Sequence, residues 1–196
     1  MGRLDWHNKI IQALWDVHST HGFKPLDPCV VYFRLSDHRV IRYRPDFLAL
    51  RVRKGTHAVV IEAETASPPK SIAGDILLAS LVNSRWAEMY PWHWPNIGSA
   101  LRHDRVFRDA MDSRTPAQVI RADDRKFLPG IRIGKLSFLL LARDKTHQKY
   151  YKRFLDLFVR KQWGRRSPFA NARCISCRAT SLASARRSMG RILAGL

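Results

Sequence analysis

The stretch from Arg42 to Thr65 reads RYRPDFLALRVRKGTHAVVIEAET, and it decides the fold. Two runs rich in β-branched and aromatic residues, Arg42–Val52 and Thr56–Thr65, flank a short turn at Lys54 and Gly55, which predicts two antiparallel strands. Side chains alternate between the faces of a strand. His57, Val59, Ile61 and Ala63 therefore share one face, and Ala58, Val60, Glu62 and Glu64 share the other. Two carboxylates leave the same face at the end of the strand, roughly 7 Å apart along the backbone. Asp46 falls in the middle of a run that is otherwise apolar, with Phe47, Leu48, Ala49 and Leu50 after it. An acid at such a place needs a partner, because burying an unpaired charge is costly. A divalent cation would serve all three acids. Mg²⁺ takes oxygen ligands, commonly one or two carboxylates plus a substrate phosphate, and such an ion activates water for attack on a phosphodiester.

Working outward, Cys29–Leu35 (CVVYFRL) reads as a third strand, closed by a turn at Ser36, Asp37 and His38, so that three strands form an antiparallel meander. Before it, Leu4 to about Thr20 carries Leu4, Ile10, Ile11, Leu14, Trp15 and Val17 on one helical face, with Gly22 as the stop and Pro25 and Pro28 beyond. After it, Ser67 as N-cap and Pro68 at the first helical position open a helix to about Trp86, with Ile72, Ile76, Leu77, Leu81 and Val82 inward. Residues 87–135 are poorly legible, apart from a charged helical piece near 99–112. Leu136–Ala142 (LSFLLLA) predicts an apolar strand, and Thr146–Trp163 an amphipathic helix. The order describes an α/β sandwich with a mixed sheet over residues 1–163. Residues 164–196 hold seven arginines and no acid, and they read as a flexible basic arm with a short helix near its end.

Thirty-five Lys and Arg stand against sixteen Asp and Glu, a formal charge of +19. That excess favours a polyanionic partner, since each neutralised phosphate releases condensed counterions. A ribosome-associated or membrane-surface protein would share it. No segment reaches the roughly 20 apolar residues of a membrane span. Asp5, His7 and Asn8 stand where a signal peptide needs an apolar run, and Cys29, Cys174 and Cys177 make no disulfide framework. The expected location is intracellular, in the cytoplasm.

Pro45-Asp46 in one strand, followed by Glu62-Ala63-Glu64 in the next, resembles the PD-(D/E)XK nuclease superfamily, and the likeness covers about residues 1–86. The resemblance implies a restriction-endonuclease-like core, a mixed sheet flanked by helices. It implies a metal-dependent endodeoxyribonuclease of the restriction or repair type, using Mg²⁺ or Mn²⁺ on DNA. Asp46 and Glu62 would be metal ligands, with the backbone carbonyl of Ala63 as a further one. Cutting both strands calls for two sites, hence a homodimer. The departure is Glu64, where the superfamily usually has Lys. Either Glu64 assists the attacking water, or Lys70 at the start of the next helix supplies the ammonium, or the domain binds nucleic acid without cutting it.

Other features carry less. Cys174 and Cys177 form a lone CxxC pair without the further ligands a zinc site needs. Tyr90, Trp92, His93 and Trp94, beside Arg85, Arg102 and Arg105, read first as packing under a loop or in a dimer contact. His7, His18, His21 and His57 read as scattered surface or core histidines, and Asp75 as a surface or capping residue. Lys149, Lys152, Arg153, Arg160 and Lys161, with Arg165 and Arg166 after them, mark an exposed basic face suited to tracking phosphates.

Overall fold

The computed structural model describes residues 3–25, 31–34, 40–52, 56–65, 68–82, 87–89 and 133–196. In chain order the elements are α1 (Arg3–Val17) with a 3₁₀ turn (His18–His21), β1 (Lys24–Pro25), β2 (Val31–Arg34), β3 (Val40–Tyr43), β4 (Phe47–Val52) and β5 (Thr56–Glu64). There follow α2 (Pro69–Leu81), β6 (Ala87–Met89), β7 (Lys135–Ala142), α3 (Lys145–Asp156) with a π-helical extension (Leu157–Trp163) and a 3₁₀ turn (Gly164–Arg166), β8 (Asn171–Ser176) and α4 (Leu182–Ala194).

The apolar run at β7 behaves as a strand buried on both faces should. It lies between β5 and β8, parallel to both, in a five-stranded sheet of order β1-β4-β5-β7-β8. Strand β4 pairs antiparallel with β1 and β5, so the sheet is mixed. The two-residue period of the strands divides the core. Leu48, Leu50, Ala58, Val60, Leu136, Phe138 and Leu140 pack with Ile72, Ile76, Tyr151 and Leu155 of α2 and α3. Phe47, Ala49, Val59, Ile61, Leu139 and Leu141 pack with Trp6, Ile10, Leu14, Met189 and Leu193 of α1 and α4. The result is α/β, helices on both faces of one mixed sheet. Among the described residues no helix is long and apolar enough to cross a membrane.

Three expectations need correction. The strand expected over Arg42–Val52 is two strands, and the simple meander does not form. Val40–Tyr43 joins β2 and β6 in a separate three-stranded sheet, and pairing in the main sheet starts only at Phe47. Pro45 explains the break: it has no N–H for a ladder and restricts the residue before it. Asp46 is therefore at the mouth of β4 rather than mid-strand. Helix α2 ends at Leu81, short of Trp86, with Pro68 in the N-cap position, and Leu77 and Leu81 are 45% and 40% exposed. Its inward line is Ile72, Ile76 and Ala79, and Leu77 is turned about 100° from Ile76.

The third correction concerns the basic arm. Residues 171–176 extend the sheet, and α4 lays Ala185, Met189 and Leu193 on α1 and the strands. Spacings of four residues between these three outweigh the Arg content, because Arg186, Arg187 and Arg191 occupy the exposed side of the same helix. Ser181 and Ser184 cap its start reciprocally. The helical piece near 99–112 and most of 87–135 lie outside the described residues.

Candidate functional site

The β4–β5 register pairs Phe47 with Ile61, so Asp46, one residue earlier, stands beside Glu62. Two backbone groups lock them together. The Asp46 N–H donates to Glu62 Oε2 at 3.2 Å, and the Ala63 N–H donates to Asp46 Oδ2 at 2.8 Å. The Tyr43 hydroxyl, three residues before Asp46, donates to Glu62 Oε1 at 2.5 Å. From α1, His7 Nε2 meets Asp46 Oδ1 at 3.0 Å. Glu62 and Glu64 continue the face of Ala58 and Val60 toward α2, where Glu64 bonds to Asp75. The three acids named from the sequence thus meet at the C-terminal end of β5.

The electrostatics follow from burial. Glu62 is only 5% exposed, and desolvation, reinforced by Asp46, holds its carboxyl well above the usual range. Burial and then the neighbouring Asp75 push Glu64 up to about 8. Burial also raises Asp75, and the two carboxyls are hydrogen-bonded to each other. The hydrogen bond to Asp46 raises His7. Four carboxyl groups close together at reduced exposure either keep protons or take a cation.

Ala63 contributes its N–H to this arrangement. Lys70 is exposed on the first turn of α2, and His7 is a cation acting on Glu64. Lys149, Lys152, Arg153, Arg160, Lys161, Arg165 and Arg166 are all exposed, with Lys152 and Arg160 both paired to Asp156. Because Ala142 pairs with Glu64, α3 begins at the edge where the carboxylates lie, and its basic residues run away from that edge. Lys161 is sixteen residues past Lys145, about 24 Å along a helix.

Sequence reading missed His7, Tyr43 and Asp75. Asp75 is not a surface or capping residue: it is mid-helix, three residues after buried Ile72, and faces Glu64. That spacing was a readable signal. His7 follows Trp6, a buried position of α1, and nothing local marks its partner. His18 bonds the Phe23 carbonyl, and His57 bonds Ser137. Cys174 is partly buried, which pushes its thiol up to about 12, and Cys177 is buried. Tyr90, Trp92, His93, Trp94, Arg85, Arg102 and Arg105 lie outside the described residues. Among the described residues no group of three or more His, Cys, Asp or Glu side chains stands ready to hold a metal ion.

No protein-family model, curated protein or solved structure matches the chain.

Proposed function

We propose that this protein is a metal-dependent endodeoxyribonuclease with a restriction-endonuclease-like core, hydrolysing DNA phosphodiester bonds inside the cell as a homodimer. The observation that carries the reading is the interlock of Asp46 and Glu62, each held by a backbone N–H beside the other. Carboxylates oriented by donors on both oxygens are what a hard cation requires of its ligands.

The donor set fits Mg²⁺ or Mn²⁺. Each carboxylate oxygen has two lone pairs, and the hydrogen bonds to Tyr43, His7 and the backbone use one apiece, leaving one on each for a metal. Asp46 and Glu62 would hold the ion, with the Ala63 carbonyl as a further ligand. When bound, the ion supplies Lewis-acid chemistry at the scissile phosphate. Tyr43 and the Asp46 N–H orient Glu62, while Glu64, hydrogen-bonded to Asp75, sits beside the ligands. The basic side chains of α3, starting at the same edge, grip the backbone of the duplex as it leaves the site. The +19 charge supports a phosphate polyanion as partner.

One observation favours a second reading, a nucleic-acid-binding module that kept the fold and lost cleavage: Glu64 occupies the position where the superfamily has Lys. Supercoiled plasmid at low salt, with Mg²⁺, Mn²⁺ or EDTA, separates the two. Metal-dependent nicking that Asp46→Ala abolishes while DNA binding persists supports the nuclease. Tight binding without cutting under every metal condition selects the binding module.

A further inference from the structure

We propose that His7 is a positioning residue that fixes the carboxylate of Asp46 for a divalent cation; the inference rests on the nuclease reading above. A carboxylate only accepts, so His7 Nε2 carries the hydrogen of the 3.0 Å contact to Asp46 Oδ1. The other oxygen takes the Ala63 N–H. One donor alone would leave the Asp46 carboxylate to pivot, because its terminal torsion is broad. Two donors, one from α1 and one from β5, fix the plane and the direction of the remaining lone pairs.

The donor on α1 is itself held in place. Trp6, next in the chain, is 2% exposed, and its Nε1–H donates to the Cys177 carbonyl at 2.7 Å. Ile10, Ala13 and Leu14 bury the same face of α1 against α4 and the sheet. The helix cannot slide or turn without losing that bond and that packing, so His7 meets Asp46 from a fixed direction. The other groups facing the His7 ring are Asn8, hydrogen-bonded to it, and Glu64, whose charge acts on it. Histidines and carboxylates in this supporting position typically set metal affinity by 10–100-fold.

The test is calorimetric titration of MnCl₂ into the full-length protein without DNA, for wild type, His7→Phe, His7→Ala and His7→Gln, each also melted in EDTA. The glutamine amide reaches about where Nε2 lies and restores a donor without an imidazole. Phe and Ala should weaken Mn²⁺ binding 10–100-fold, and Gln should stay within about 3-fold of wild type. The EDTA melts should agree within a few degrees, since the His7 side chain is one-third exposed. Equal affinity in all four proteins overturns the inference while leaving the nuclease reading standing. So does Gln binding as weakly as Phe, because the hydrogen bond would then not be the cause. If wild type takes up no Mn²⁺, the nuclease reading falls and this inference with it.

Discussion

Raising the pH in metal-free buffer should destabilise the protein through Glu64, and removing that carboxyl should remove the effect. Glu64 has an unfolded value of 4.5 and is pushed up to about 8 in the fold, burial being the larger cause and Asp75 the next. The folded protein therefore keeps a proton that the unfolded chain has released, and stability present below pH 4.5 is lost as pH rises toward 8. His57 works in the opposite sense at lower pH. Burial lowers it from 6.5 to about 4, so it adds stability as pH rises from 4 to 6.5. The window that avoids His57 is thus pH 6.5 to 8, in which His7, raised by its bond to Asp46, also loses its contribution as pH rises. Across those one and a half units the undiscounted loss is about 2 kcal/mol at 1.36 kcal/mol per unit. Glu64 is only partly buried, so screening reduces this to about 1 kcal/mol. For a domain of this size that is about 2–4 °C in Tm. Thermal melts of wild type and Glu64→Gln in EDTA across the window should show wild type falling by that amount relative to Glu64→Gln, a difference that subtracts the charges not coupled to Glu64. Adding 10 mM Mg²⁺ should flatten the wild-type curve, because a cation stabilises the ionised form. Parallel pH profiles for the two proteins in EDTA would refute the account of the cluster.

Tyr43→Phe strips a donor from buried Glu62 and should cost about 1–3 kcal/mol in urea unfolding at pH 7; an unchanged midpoint would mean that Glu62 does not depend on it. Deleting residues 164–196 removes strand β8 and the burial of Ala185, Met189 and Leu193, so the fragment should lose its cooperative far-ultraviolet melt, and a melt within a few degrees of the full chain would contradict the fold. Replacing Lys149, Lys152, Arg153, Arg160 and Lys161 together by Ala should weaken duplex DNA binding and reduce the slope of log affinity against log salt by about 0.9 per lost phosphate contact; an unaltered slope would place the DNA elsewhere.

What was legible in the sequence had a local period behind it. The alternation through Thr56–Glu64 placed Glu62 and Glu64 on one face because a strand's side chains must alternate, and the observed core divides along the same parity. The apolar run at β7 and the amphipathic run at α3 were readable for the same reason. Two errors came from letting composition outweigh position. Pro45 inside an expected strand is itself a signal of a break, and the arginines of the C-terminal segment hid the four-residue spacing of Ala185, Met189 and Leu193. The contacts of His7 and Tyr43 were not readable at all. They span 39 and 19 residues and exist only because the sheet brings the ends of α1, β3 and β5 together.

The exchange of the expected lysine for Glu64 changes the charge balance of the cluster rather than one side chain. A lysine there would face Asp46 and Glu62 with a positive charge and offset one of them. Glu64 instead adds a third acid, and Asp75 a fourth. Desolvated like charges at this spacing cannot all ionise without a counter-charge. The fold offers two partial answers, a proton shared between Glu64 and Asp75, and His7 held against Asp46. Even with that proton in place the Glu64–Asp75 pair keeps one negative charge beside Asp46 and Glu62, the two groups whose oxygens are already oriented by the backbone. A single divalent cation neutralises that pair. On the proposed function, the ion at Asp46 and Glu62 would be the site's full positive centre, a charge that a proton shared by Glu64 and Asp75 does not supply.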